Sequence, residues 1–380
     1  MPGGGHMGEH RVAVIVRHGL DPTAWERRHE RGEVMDRTPY AYHLAEPAVV
    51  LEWSRDRAEH AAARWWRMSV KRLLGFDFVH VWRNRALIER ADAVWTHTER
   101  EHLAVALLKV LRPRRYRSAS IAQSVWLWDL WPTLSAPRRR FFRILLRRHD
   151  VEVVLSRMNR DASRAAVPGR TVVRVPFGTH FAQPAGDNEA GKPRRILVVG
   201  NDRHRDWDLM LRAATALPEL DIDLLSLSEN ASARAWPPNV RIRGVQQADM
   251  LRTVYAAADV VALPLRPNLH ASGCTVAIEA LSAGLPVVAV DTGGIDEYLQ
   301  DGDATLLPPG DADAFTAALA DAAARGRRGD PALPARRGLS EGDYVARLVS
   351  ITRSVLTRAP IPEAVQCFAP MDDERTPHHP

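Results

Sequence analysis

Cysteine is nearly absent: Cys274 and Cys367 are the only two in 380 residues. Two thiols in such unlike surroundings give no disulfide framework, and a reducing cytoplasm fits them. No run of about eighteen apolar residues exists, so no spanning helix is expected. Zinc-ligand spacings, a Gly-x-x-x-x-Gly-Lys phosphate loop and a clear paired-acid metal site are all missing. The expectation is therefore no metal and no cofactor, with arginines and helix ends doing the electrostatic work. No recognised nucleic-acid motif accompanies the basic residues, so nucleic acid is not expected as a partner. The opening Met-Pro-Gly-Gly-Gly-His-Met has neither a signal-peptide nor a transit-peptide layout and reads as a disordered lead-in, with Met7 an alternative start.

What is present is a globular composition, 46% hydrophobic, on a chain long enough for two domains with a core each. Lys and Arg number 52 against 46 Asp and Glu, and the net +6 is concentrated in the first half. Short apolar runs at 11–16, 48–51, 76–81, 93–95, 120–125 and 151–155 alternate with helical segments, which predicts a parallel, doubly wound sheet. Residues 183–193 have a linker's Gly, Pro, Ala, Asp and Asn, and the alternation then resumes at 195–199, 221–227, 240–245 and 287–290. The division is a lead-in (1–10), a first domain (11–182), a linker (183–194), a second domain (195–339), a helix (340–358) and a disordered, proline-rich tail (359–380).

The most informative stretch runs from His270 to Gly302. Ser272, Gly273, Cys274 and Thr275 form a small polar loop opening a helix, which ends at Gly284 and Pro286. Four loop amides at a helix N-terminus, with two hydroxyls, suit a phosphate or diphosphate. Glu279, one turn in, suits the vicinal hydroxyls of a ribose. The same spacing also fits an ordinary α/β crossover with a solvated Glu.

Glu279-Ala-Leu-Ser-Ala-Gly-Leu-Pro-Val-Val-Ala, with Gly293-Gly294 and Asp301-Gly302, resembles the donor-nucleotide signature of family 4 (group 1) GT-B glycosyltransferases. The resemblance implies two Rossmann-like domains facing across a cleft, and a C-terminal helix crossing back to the first. It implies a hexosyltransferase using a nucleotide-sugar donor, with retention favoured over inversion. Glu279 would bind the ribose, and the 272–275 loop the diphosphate and sugar. This chain departs from the family where a second Glu is common eight residues earlier: Ala271 stands there. That substitution keeps a non-catalytic scaffold open as an alternative, beside a nucleotide-sugar epimerase on the same fold.

Other loops at strand ends supply the remaining candidates. Arg17-His18-Gly19 follows the first strand, and Gly19 is a candidate ligand contact; it also reads as plain surface loop. Gly200-Asn201-Asp202-Arg203-His204-Arg205 follows the strand at 195–199, where the resemblance places cations that stabilise a leaving diphosphate, here Arg203 and Arg205. Ser228 and Gln246 lie where the base of the nucleotide would sit. His97 resembles the family's acceptor-side histidine, while Thr98 and Glu101 read as a capping box that leaves it idle. Glu99 and Asp129 are candidate carboxylate bases, one of which an inverting transfer would need.

Two basic, aromatic segments, 64–72 and 138–148, fit either helices packed on a sheet or helices lying in an anionic interface. Because family members often use lipid-linked acceptors, the resemblance points to a lipid-linked or polysaccharide acceptor, a small metabolite being the other option. It also points to peripheral attachment at the inner face of the cell membrane.

Overall fold

The computed structural model describes residues 10–184, 194–244, 248–326 and 329–371. Its frame is two six-stranded, all-parallel sheets. The first holds β1 (Arg11–Ile15), β2 (Val50–Trp53), β3 (Ala93–Thr96), β4 (Ala119–Gln123), β5 (Val151–Val154) and β6 (Val172–Arg174), in the order β2-β1-β3-β4-β5-β6. The second holds β7 (Arg195–Val199), β8 (Asp221–Leu225), β9 (Val240–Arg243), β10 (Val260–Leu263), β11 (Val287–Val290) and β12 (Ala304–Leu307), ordered β12-β11-β10-β7-β8-β9. Strands β10 and β11 carry no polar side chain and are buried throughout, as central parallel strands covered on both faces require.

Each sheet reverses its strand order at its first strand. Chain direction diverges on either side of β1 and of β7, which opens a crevice at their C-terminal ends. The loops after β1, β3, β7 and β10 therefore converge there. They carry Gly19, His97, Arg203 and the 270–275 turn.

The expected crossing helix is present. Ser340 caps Glu341–Thr357 by accepting from Asp343 N–H at 3.1 Å. The helix buries Tyr344, Leu348 and Ile351 against the first sheet, and the Trp95 indole donates to Thr352 Oγ1 at 2.8 Å. The two-domain α/β fold read from the sequence is thus the one formed.

Three expectations need correction. Residues 76–81 do not make a strand: Asp77 accepts from His80 N–H and caps a short helix, Phe78–Arg83. The tail is not free up to Met371. Arg347, fully buried, donates to the carbonyls of Gly338, Cys367 and Ala369, and Val365 is buried in the first domain's core. A buried guanidinium needs acceptors, and these turns of chain supply them. Finally, the apolar stripe of Ala136–Leu146 packs inward through Phe142, Leu145 and Leu146, so it is not offered to an interface. Among the described residues no helix is long and apolar enough to cross a membrane.

Candidate active site between the domains

The convergence of loops leaves a cavity of about 430 Å³ lined from both domains. Glu99, Arg100, Trp126 and Leu130 come from the first, and Asn201, Asp202 and Arg203 from the second. Arg100 and Arg203 are exposed, and neither guanidinium makes a hydrogen bond or ion pair among the described residues. Two uncommitted arginines facing one space favour an anionic occupant.

Arg205, expected beside Arg203, does something else. It is 3% exposed, and its Nε donates to Val199 O at 3.2 Å while Nη1 donates to Ser272 Oγ at 2.8 Å. Burial lowers its pKa. Arg205 thus braces the loop from beneath. Gly200 makes room for it, because a Cβ there would lie 2.3 Å from Arg205 Nε.

The 272–275 loop is more self-contained than its composition suggests. Ser272 N–H donates to Asn268 Oδ1 at 3.1 Å, and Cys274 N–H to Ala271 O at 3.0 Å. The Ser272 hydroxyl donates to Asp202 Oδ2 at 2.8 Å and is buried. Burial pushes the Cys274 thiol up to about 12, which makes it inert. Gly273, in the left-handed region at φ 88°, and Thr275 remain partly exposed to solvent. Of the four expected anion contacts, Ser272 and Cys274 are spent on the turn itself, while Gly273 and Thr275 keep an open face.

Glu279 sits one turn into Cys274–Ser282, buried, with Oε2 accepting from the Tyr255 hydroxyl at 2.6 Å. His180, at the end of the first domain, lies 3.5 Å from Oε1. Burial raises the Glu279 pKa against the opposing pull of His180 and Tyr255. Neither partner was singled out from sequence. His180 gave a signal only as a polar residue after Gly178, at the end of the first domain.

Both oxygens of Asp129 are engaged as well. Oδ1 accepts from Leu269 N–H at 2.7 Å, and Oδ2 from His270 Nδ1 at 2.7 Å, both across the domain boundary. The reading of Asp129 as a free base is therefore corrected: its carboxylate fastens the second domain's loop to the first. His270 Nε2 meets Asp202 Oδ2 at 3.1 Å on its other side. Burial opposes a charged ring, but the two carboxylates outweigh it and raise the His270 pKa. Burial likewise pushes Asp202 up, yet hydrogen bonds from His204, His270 and Ser272 hold it well below the usual carboxylate range.

Glu99 lines the cavity with Oε2 accepting from the N–H groups of Val125 (3.3 Å) and Trp126 (3.2 Å), and burial raises its pKa. His97 is buried rather than idle at the surface. Its ring stacks on Tyr40 at 3.3 Å, and Nδ1 meets the Tyr42 hydroxyl at 2.9 Å. Burial, helped by Arg17, pushes it down to about 3, so it is neutral. Thr98 caps the next helix through Arg100 N–H, and its hydroxyl donates to Glu101. Gly19 N–H donates to Asp56 Oδ2 at 2.8 Å, and open space faces its Cα. Asn201 Oδ1 accepts from Leu227 N–H, and Ser228 N–H donates to Ser226 Oγ, so both shape the β8 edge. Gln246 lies outside the described residues.

A family model described as glycosyl transferases group 1 matches residues 193–325. A D-inositol 3-phosphate glycosyltransferase of Mycolicibacterium gilvum is 30% identical over 170 residues, 40% of this chain and 38% of that protein. Its namesake in Rhodococcus erythropolis is 36% identical over 121 residues, 32% of this chain and 23% of that protein. The chain thus spans less than half the length of these relatives. Among solved structures, sucrose-phosphate synthase from Thermosynechococcus elongatus superposes with a TM-score of 0.60 at 18% identity, covering 94% of this chain and 96% of that one. Anabaena HepE in complex with UDP and glucose does so at 0.54 and 13%, covering 92% and 98%. These likenesses support the GT-B fold over nearly the whole chain.

Proposed function

We propose that the protein is a glycosyltransferase that moves a sugar from a nucleotide-sugar donor to an acceptor bound on the first domain. The observation that carries this is the cavity lined by Arg100 and Arg203 from opposite domains. In this reading the diphosphate lies against Arg203, Gly273 and Thr275. The ribose hydroxyls reach Glu279 Oε1 in exchange for His180. As the bond from sugar to diphosphate breaks, negative charge grows on the leaving oxygen, and preorganised cations stabilise it without a metal. We favour transfer with retention: of the two candidate bases, Asp129 has both oxygens bonded to the second domain's loop and Glu99 has Oε2 bonded to Val125 and Trp126.

The test is thermal unfolding in the presence of UDP, GDP, dTDP and ADP sugars. A ligand at about 100 times its dissociation constant adds ~2.7 kcal/mol. Stabilisation by one nucleotide together with acceptor-dependent loss of donor supports transfer. Isomerisation of donor alone would mean an epimerase, and no stabilisation by any nucleotide a scaffold.

A second reading concerns the acceptor. Ala61–Leu74 is turned inside out: its one buried residue is Arg67, which donates to Glu59 and Asp77 at 3.0 and 2.7 Å. Outward, Trp65, Trp66, Met68 and Leu73 are exposed, the first by 70%, with Arg64 and Arg72 beside them. Arg138 ties the neighbouring helix to Leu73 O at 2.7 Å and also lines the cavity, so this face adjoins its mouth. Aromatics flanked by arginines suit an anionic lipid surface, each cation adding roughly 1 kcal/mol near the leaflet. A lipid-linked acceptor would then reach the cavity without leaving the bilayer. Salt-sensitive co-sedimentation with anionic vesicles, lost in Trp65→Ser/Trp66→Ser, is expected. Equal partitioning from anionic and neutral vesicles would favour a soluble acceptor.

A further inference from the structure

We propose that Asp129, His204 and His270 form a binding site for a zinc-type divalent ion at the seam between the domains. One ligand atom of each lies within 4.8 Å of the other two. Two imidazoles and a carboxylate make a borderline-soft donor set that suits Zn²⁺, with a fourth position left for water.

Asp202 distinguishes this group from a chance meeting of polar side chains. Its Oδ1 lies 3.1 Å from His204 Nδ1, and its Oδ2 lies 3.1 Å from His270 Nε2. One carboxylate therefore holds a ring nitrogen of each histidine. His204 Nε2 and His270 Nδ1 are left as the ligand nitrogens. Histidines that bind metals are oriented in this way, the far N–H held by a carboxylate that does not touch the ion. The third ligand is already at hand, with Asp129 Oδ2 2.7 Å from His270 Nδ1.

Coordination would draw together ligand atoms that now lie within 4.8 Å of one another. Bonds of about 2.0–2.2 Å in a tetrahedron set ligand atoms roughly 3.3 Å apart, so Asp129 would draw back by roughly half an ångström. The proton on His270 Nδ1 leaves to solvent, and the ion takes its place. Asp129 and Asp202 then balance the two positive charges. Asp129 belongs to the first domain and both histidines to the second, so an ion here would pin the domains together. The inference does not rest on sugar transfer.

The experiment is a titration of chelator-treated full-length protein with Co²⁺, read by visible ligand-field absorption, followed by competition with Zn²⁺. One Co²⁺ per chain with tetrahedral-type bands that Zn²⁺ abolishes is expected. His204→Gln and His270→Gln should each lose the bands. Asp202→Asn keeps all three ligands and should bind about 10–100-fold more weakly. Because His204 is in a partly exposed loop, its variant serves if His270→Gln fails to fold, with circular dichroism as the check. Absence of bands in the wild type overturns the site. So do bands that persist in His204→Gln, since the ion would then be held elsewhere.

Discussion

The Tyr255 hydroxyl donates to Glu279 Oε2 at 2.6 Å, with Tyr255 1% and Glu279 5% exposed. A buried carboxylate of raised pKa needs such a donor, and Tyr255 supplies it from the helix preceding β10. Tyr255→Phe keeps the ring's packing and deletes only the donor. A loss of ~1–3 kcal/mol is expected, read as a lower urea midpoint at unchanged slope. An unchanged midpoint would mean that Oε2 is satisfied without Tyr255.

Arg203 and Arg205 should separate cleanly. Arg203 is exposed and makes no hydrogen bond or ion pair through its guanidinium among the described residues, so Arg203→Ala should leave stability within about 0.5 kcal/mol. Its transfer rate should fall by about 10²–10³-fold if it faces the leaving diphosphate. Arg205→Ala removes bonds to Val199 O and Ser272 Oγ in the interior and should cost ~1–3 kcal/mol of stability. Denaturant curves beside donor-consumption assays check both. Equal stability losses in the two variants would contradict the division of roles.

The fold was legible because apolar runs such as 195–199 and 287–290 have the length and β-branching of central parallel strands, and Gly284 and Pro286 mark where a helix must stop. The run at 76–81 misled for a related reason. Its apolar residues are those of a buried strand, and only the cap at Asp77 selects the helix. In the site, types were easier to read than commitments. Spacing placed Arg205 and Ser272 at the right turn, but whether each faces a ligand or the other depends on Gly200 admitting a guanidinium. Asp129 and His270 are 141 positions apart, and nothing local to either announces the other. His97 was legible as a polar residue at a strand end, while the stacking of Tyr40 on its ring and the Tyr42 hydroxyl at its Nδ1 follow from how a distant loop closes over β3.

Stability should carry a pH dependence traceable to Asp36. Its carboxyl is pushed up to about 7, first by burial and then by the neighbouring Glu341 charge and hydrogen bond. The unfolded value is about 3.9. The folded state thus holds the proton more tightly. Asp36 contributes stability that is fully present below about pH 4 and is lost as pH rises through about 7. Asp36→Asn removes that loss. The variant should match the wild type in acid and exceed it in midpoint above about pH 7. Parallel curves for both proteins at every pH would rule Asp36 out as the source.

The tightest test of the braced loop is a single methyl group. A Cβ at Gly200 would lie 2.3 Å from Arg205 Nε and 2.9 Å from Cζ, too close for any real contact. No positive φ is involved at Gly200, so Ala suits the backbone and the penalty comes from the guanidinium alone. Gly200→Ala should displace Arg205 from Ser272 Oγ and cost ~1–3 kcal/mol. Because both substitutions break the same contact, their effects should not add. Once Arg205→Ala has removed the guanidinium, Gly200→Ala should cost little, leaving a coupling energy of about 0.5–3 kcal/mol in the double-mutant cycle. Additive losses would mean that Gly200 serves some other neighbour and that the loop does not depend on Arg205 lying beneath it.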